Sequence, residues 1–474
     1  MNKLTRNMLL MVLLASIVSC KKYLDVNTNP NSPTAPAING LLTRITQNAA
    51  LNVYRVSNIT SYYTQYLASP NASSPTDVYE PIDASSAWTS LYDNMTDAYD
   101  LEKIAASQGA TQYQGVAKIL LAMDLHLVHN LWGSAPYTEA FSGNTLTPAY
   151  DGEESIYQTC VKLLTDGIEL LKKTGSTRTI PVASGSAVRV DLIHNGSTDG
   201  WIRTAYGLRA RLLNQLSKTP QYNAANVLAD VDASYQPSSK DAFITVFNVR
   251  NPWNQAAVNN AGLLLDGWLS SYYVDAMDGS TFGFADPRLP LTASLTRYND
   301  YRGTRNGAGR VGSGTQKDES YISLTGYYSS TSSPLYIISY EEVKFIEAEA
   351  AFRANNKTRA YAAYLEGIRA NMNKMGVAAV DRDAYVNNPA ISVGEANLTL
   401  QHIFQEKYKA LFLMPVTWDD ARRSNYIYQG FQLPLNAVEN TYIRRLVFPS
   451  VETSRNGKNV PPVPDVTDRL WWDK

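Results

Sequence analysis

The sequence predicts a mainly α fold in which paired helices carry the core and long irregular insertions with short strands interrupt them. Three observations lead there. Apolar residues recur at i, i+3, i+4 and i+7 in several separate stretches, the spacing that lays a stripe along one helical face. Two late stretches are rich in alanine and joined by an Asn-Asn turn. Between the stretches run aperiodic segments dense in Gly, Ser, Thr and Tyr, as insertions are.

In chain order, the first signal concerns export. Lys3 and Arg6 form a positive start, Met8 to Val18 is almost unbroken apolar sequence, and small residues follow, as in a signal peptide. The apolar run is well short of the roughly 20 residues a membrane-spanning helix needs. It ends Ile17-Val18-Ser19-Cys20, which resembles a bacterial lipobox: the Cys20 sulfur receives a diacylglycerol, the chain is cut before it, and the new N-terminus is acylated. Two or more acyl chains make a lasting anchor where one is marginal. Residues 1–19 are therefore expected to be a cleaved signal, and 20–37 the lipidated Cys and a flexible tether, with Pro30, Pro33 and Pro36 set among Asn, Thr and Ser. Residues 38–474 are expected to form a single helical domain.

Within that domain, Val116, Ile119, Leu120, Met123, Leu127 and Leu131 define one helical stripe, and 156–171 and 201–216 define two more. Ser339 and Glu342 have capping-box spacing and open a helix through Val343, Ile346 and Ala350. Asn355-Asn356 turns the chain, and Thr358 to Met375 runs back until Gly376 stops it. Alanines in EAEAAFRA and AYAAY let the two backbones approach, which is the unit of tetratricopeptide-like stacks. A further helix, Leu400 to Leu413, turns Ile403, Phe404, Tyr408 and Leu411 inward. Insertions fall around 70–87, 174–200 and 270–334, and the last is too long to be structureless in a compact domain.

Composition excludes several classes of function. A net charge of −1 without a basic block excludes a nucleic-acid partner. With 31 Tyr and 8 Trp against only 4 His, the chain favours flat amphipathic surfaces over imidazole chemistry. Gly307, Gly309 and Gly312 spell G-x-G-x-x-G, but no strand precedes and no helix follows, so a dinucleotide is not expected. Asp124, His126 and His129 share a helix but have no evident third metal ligand, and packed histidines are expected there; no metal and no cofactor is predicted. Cys160, with Cys20 lipidated, reads as a small buried hydrophobe. The carboxylate pairs Glu153-Glu154, Glu341-Glu342, Glu347/Glu349 and Asp419-Asp420 are adjacent on helices, whereas glycosidase acids flank a bond from opposite sides. No enzyme is predicted.

Several segments have no general explanation until taken together. They are Tyr23-Leu24-Asp25 after Cys20, Trp201-Ile202-Arg203 with Leu208 to Leu212, Asp286-Pro287-Arg288, Pro334 to Val343 with Glu347 to Ala350, Trp418 to Arg423, Arg445 to Pro449 with Glu452 and Asn456, and Trp471-Trp472-Asp473. In this order, behind a lipobox, the set resembles the SusD/RagB family of nutrient-binding outer-membrane lipoproteins, in its shorter SusD-like branch. The resemblance implies a helical fold with four tetratricopeptide-like pairs and a ligand face on the excursions. It also implies an anchored location at the cell exterior, a SusC-like TonB-dependent transporter as partner, and an oligomeric nutrient, most often a glycan, as cargo. Peptides or another non-sugar oligomer are the alternative cargo; a surface glycan hydrolase would need two carboxylates facing one cleft.

The residues suggest roles within that frame. Asp286 and Arg288, fixed by Pro287 between them, are expected to form charge-assisted bonds. Arg209, Arg211, Arg422 and Arg423, on otherwise apolar helices, are expected to clamp carboxylates or carbonyls between helices. A sugar site needs a ring for the pyranose C–H face and amide or carboxylate edges for its hydroxyls. Candidates are Tyr79, Trp88 near Asp83, Trp253 with Asn251 and Asn254, Tyr272, Tyr273, and Tyr298 with Asn299, Asp300 and Tyr301.

Overall fold

The computed structural model describes residues 37–185, 187–237, 239–261, 267–312, 317–463 and 465–474. The export segment, Cys20 and the tether up to residue 36 lie outside the described residues. The chain runs α1 (Ile38–Tyr63), α2 (Ser85–Ser107), α3 (Thr111–Trp132), α4 (Glu153–Lys172), α5 (Thr198–Gln215), α6 (Ala224–Ala233), β1 (Ala242–Ile244), α7 (Pro252–Ala261) and α8 (Ser271–Asp278). It continues through β2 (Leu335–Ile338), α9 (Tyr340–Arg353), α10 (Lys357–Met375), α11 (Ala379–Val386), α12 (Leu400–Ala410), α13 (Val416–Arg423) and α14 (Ser450–Arg455). β1 and β2 pair antiparallel, with Ala242 opposite Ile338 and Ile244 opposite Leu335, and a bulge after Ala242. Among the described residues this is the only sheet, so the fold is mainly α as the sequence predicts.

Successive helices pack on one another from α1 to α6, α6 then packs on α9, and α9 on α10. Close approach rests on small residues. A Cβ at either Gly115 of α3 or Gly167 of α4 would lie 3.0 Å from the other's carbonyl oxygen, so the crossing admits only glycine. In α9 and α10 the buried alanines Ala348, Ala351, Ala360 and Ala363 line the contact, and Gly367 lies flat against the Phe345 ring. This pair has the predicted tetratricopeptide-like form, stopped at Gly376 in the left-handed region (φ 81°).

The structure corrects three sequence expectations. Every residue of α3 from Ile119 to Trp132 is buried, so the helix is enclosed rather than striped, including His126 and His129. The Ser339–Glu342 capping box does not form. Instead the Asp241 carboxylate accepts from the Tyr340 N–H (2.8 Å), because Glu342 is taken by the Arg211 guanidinium (2.6 Å), a stronger charge-assisted bond. The 270–334 insertion carries α8, a 3₁₀ turn at Leu289–Leu291 and isolated bridges such as Ala293 to Ile322, where short strands had been expected.

Charges on apolar helices are paired across elements. Arg209 meets Asp230 through two bonds of 2.7 Å, tying α5 to α6. Arg211 joins α5 to α9, also donating to the Ile337 carbonyl (2.8 Å). Arg422 binds Asp419 (2.6 Å) and the Asn130 and Arg444 carbonyls, with its guanidinium 3.7 Å from the Trp418 ring centroid and 4.7 Å from that of Trp472. Arg423 spans Glu349 and Asp420, both at 2.5 Å. The glycine triplet is structural too. Gly307 (φ 80°) lies under the Leu435 backbone and Gly309 (φ 73°) against Ala72, where any side chain would collide.

Candidate ligand-binding track

The site is built on the loop that follows α8. Ser270 caps α8 by accepting from the Tyr272 N–H (3.2 Å), and Gly279, at φ 101°, ends it. The loop 280–285 crosses the surface and returns: Thr281 N–H donates to the Asp275 carbonyl (2.9 Å) and Asp286 N–H to the Met277 carbonyl (2.7 Å).

Its root is locked from beneath. Arg288, fully buried, donates to both oxygens of Asp286 (2.9 and 2.6 Å), to Glu406 Oε2 (3.0 Å) and to Asn371 Oδ1 (3.0 Å). Glu406 Oε1 in turn accepts from Tyr385 Oη and Lys409 Nζ, each at 2.8 Å. One guanidinium thus joins the loop to α10 and α12, and Glu406 extends the link to α11. Burial pushes the Asp286 carboxyl up, but the Arg288 charge and hydrogen bonds outweigh it and hold the group below the ordinary carboxylate value.

Three depressions line up along this loop. The first, about 470 Å³, lies between the loop and α11 and is bordered by Asp278, Phe284, Pro290, Tyr301, Asp381 and Asn388. The second, about 290 Å³, shares Phe284 and adds Phe282, Ile391, His402 and Gln429. The third, about 240 Å³, shares Thr281 with the second and adds Gln65, Tyr272, Asp275, Arg305 and Gln432. Phe284 walls both the first and the second and Thr281 both the second and the third, so the three adjoin one another around the loop and are together termed the track. Its aromatic row runs from Tyr385 to Phe284 (ring centroids 5.5 Å apart) to Phe282 (6.4 Å), with Lys409 Nζ 4.4 Å from the Phe282 centroid. Partial burial, and then the neighbouring Asp278, raise the Asp275 carboxyl. Flat apolar area with amide and carboxylate edges at intervals can hold a chain of rings bearing hydroxyls.

The sequence candidates divide. Tyr301 borders the first depression and Tyr272 the third. Tyr298 and Asn299 are exposed on the loop that carries Tyr301. Asn299 sits at φ 63°, and the Arg302 and Arg297 guanidinium carbons lie 4.4 and 4.9 Å from the Tyr298 ring centroid. The rest are core residues, and a ring enclosed on both sides has no face for a sugar. Trp88 meets Trp132 edge-on (4.9 Å), Trp253 meets Tyr54 (4.8 Å), Tyr273 stacks on Phe412 (4.5 Å) and Tyr79 abuts Tyr63 (5.8 Å). Phe282, Phe284, Gln429 and Gln432, which border the depressions, were not among the sequence candidates; Tyr385 beneath them is buried and serves the Arg288–Glu406 lock rather than offering a face. A usable signal was FGFADPR, two phenylalanines just before the Asp-Pro-Arg turn.

The carboxylate pairs flagged in the sequence are mostly engaged by cations: Glu341 with Lys374, Glu342 with Arg211, Glu347 with Arg359, Glu349 with Arg423, Asp419 with Arg422 and Asp420 with Lys407. His126 Nε2 faces Gln215 Oε1 at 2.9 Å, and no cluster of three or more His, Cys, Asp or Glu that could hold a metal occurs among the described residues.

Comparison with known proteins places this architecture. A SusD-like family model, described as "Starch-binding associating with outer membrane", matches residues 30–449. No curated protein matches the sequence. Among solved structures, a chitin-binding SusD homolog from Flavobacterium johnsoniae superposes with a TM-score of 0.76 at 22% identity, covering 92% of this chain and 98% of its own. A SusD/RagB family protein from Bacteroides thetaiotaomicron gives 0.73 at 19% identity, covering 93% and 99%. A SusD homolog from Bacteroides uniformis gives 0.74 at 17% identity, covering 92% and 99%. Since the family match runs from before α1 to the start of α14, this chain belongs to the SusD-like family.

Proposed function

We propose that this chain is a surface lipoprotein, anchored through Cys20 at the outer membrane, that binds an oligomeric glycan and passes it to a SusC-like TonB-dependent transporter. The observation that carries the binding step is the track: three adjoining depressions around one loop, with the Phe282 and Phe284 rings and polar rims, which suits an oligomer contacted at several points. The family description names starch, and two structural neighbours are described as chitin-binding, which supports a glycan over a peptide. Capture is non-covalent and the chain is not an enzyme. Most of the paired carboxylates already serve as ion-pair partners, so they are not free to act on a glycosidic bond.

Calorimetric titration with starch and chitin oligomers and with peptides tests the proposal. One glycan class is expected to bind without release of reducing ends. Phe284→Ala and Tyr301→Ala are each expected to weaken it about tenfold, the effect of removing an aromatic anchor worth roughly 1.4 kcal/mol. Unchanged affinity in both variants would remove the track from the proposal, and binding of peptides alone would replace the cargo.

A further inference from the structure

The end of the helical body from which the tether departs differs from the rest of the surface. The start of α1, the end of α2, the start of α3 and the end of α4 meet there: Tyr113 Oη donates to Asn39 Oδ1 (2.6 Å), and Gly115 lies against Leu171. The segment after α4 is pinned across this end. Thr177 N–H donates to the Gly109 carbonyl (3.1 Å), Ile180 N–H to Gln112 Oε1 (2.9 Å), and Thr43 Oγ1 to the Val190 carbonyl (2.9 Å).

Its composition is one-sided. From 170 to 190 the chain carries Lys172, Lys173, Arg178 and Arg189 and no Asp or Glu, the flanking acid on the α4 side being Glu169, exposed one turn before Lys173. Lys173, Arg178 and Arg189 are exposed, and so are two valines, Val182 at 70% and Val188 at 89%. The next acid, Asp191, is buried and satisfied by the Trp201 indole N–H (2.7 Å) and backbone N–H groups. Two nearby acids on α2 are paired: Asp97 with Arg44 (2.7 Å) and Glu102 with Lys118 (3.4 Å).

We infer that this end is a membrane-docking face, on which Lys173, Arg178 and Arg189 meet anionic lipid headgroups while Val182 and Val188 enter the headgroup region. Two independent features of the chain point to that occupant. The charge is complementary to a phosphate-bearing surface, and each cation near such a surface strengthens attachment about fivefold. Only residues 21–36 separate Cys20 from this end, so at about 3.3 Å per residue the lipid lies within roughly 50 Å of it even with the tether drawn straight. The face would limit tilting of the body on its tether and orient the track relative to the membrane. This inference rests on the anchoring at Cys20 proposed above.

The test uses the chain from Lys21 onward, which has no acyl group and keeps every described residue, so it can fail while lipidation at Cys20 stands. Cosedimentation with phosphatidylcholine vesicles containing roughly a third phosphatidylglycerol is compared with pure phosphatidylcholine. Binding is expected only to the anionic vesicles and is expected to fall with salt. Lys173→Glu, Arg178→Glu and Arg189→Glu, all at exposed positions, are each expected to lower partitioning by at least about fivefold, and the triple variant to abolish it. The helical circular dichroism of the triple variant is expected to be unchanged. Equal partitioning onto both vesicle types, or a folded triple variant that still binds anionic vesicles, would overturn the inference.

Discussion

Asp124 shows how much one buried carboxyl can control. It lies in the enclosed α3, accepting from the amides of Asn52 (3.2 Å) and Asn94 (2.7 Å), with Arg55 one bond further out on Asn52. Burial raises its pKa to about 7, which the two amides and Arg55 reduce but do not cancel. In the unfolded chain the group titrates near 3.9. Between about pH 4 and pH 7 the folded state therefore holds the proton that the unfolded state has released, and stability contributed by this group falls as pH rises through that window. Asp124→Asn removes the ionisation while keeping the shape. Its stability relative to the parent is expected to improve between pH 4 and pH 8 by up to about 4 kcal/mol, read from urea unfolding at both pH values. An equal difference at the two pH values would show that Asp124 does not titrate this way. The sequence displayed Asp124 beside His126 and His129 as a possible metal group, because linear spacing cannot show that Asn52 and Asn94 on two other helices already face it.

Among the elements, the loop after α8 depends most on a single side chain. Arg288 neutralises Asp286 and Glu406, each at most 2% exposed, so deleting it leaves Glu406 to Lys409 (2.8 Å) and Asp286 with Lys409 only at 4.0 Å, one cation for two buried carboxylates. Arg288→Met is expected to cost about 3–5 kcal/mol, with a matching loss in thermal denaturation temperature. A variant as stable as the parent would show that this cluster does not hold the loop. The Asp-Pro-Arg turn was legible because its three residues are contiguous. Glu406 was not, since 118 positions separate it from Arg288. The α9–α10 pair was readable from its alanines, its Asn turn and its stop at Gly376, all local signals, whereas the wrapping of α3 on every side comes from its neighbours.

For the molecule as a whole, the aromatic residues that build the core are of the same kinds as those that line the track, and this limited what the sequence could say about the site. Tyr79 and Tyr301 both sit in polar, turn-rich insertions, and only the path of the surrounding chain decides that the first is sealed and the second faces a depression. Attachment belongs to this scale too. Cys20→Ala is expected to move the chain from the membrane fraction to the soluble one and to abolish incorporation of labelled palmitate; label retained by the variant would rule out Cys20 as the acylated residue. The locked root beneath the track has a longer-term consequence. Ser280, Gly283 and Ala285 at the loop's tip are exposed, while Asp286 and Arg288 carry its folding load. Substitutions at the tip are therefore expected to reshape the rim of the depressions without disturbing assembly of the body, so on the proposed function this loop is where a new ligand preference would be easiest to install.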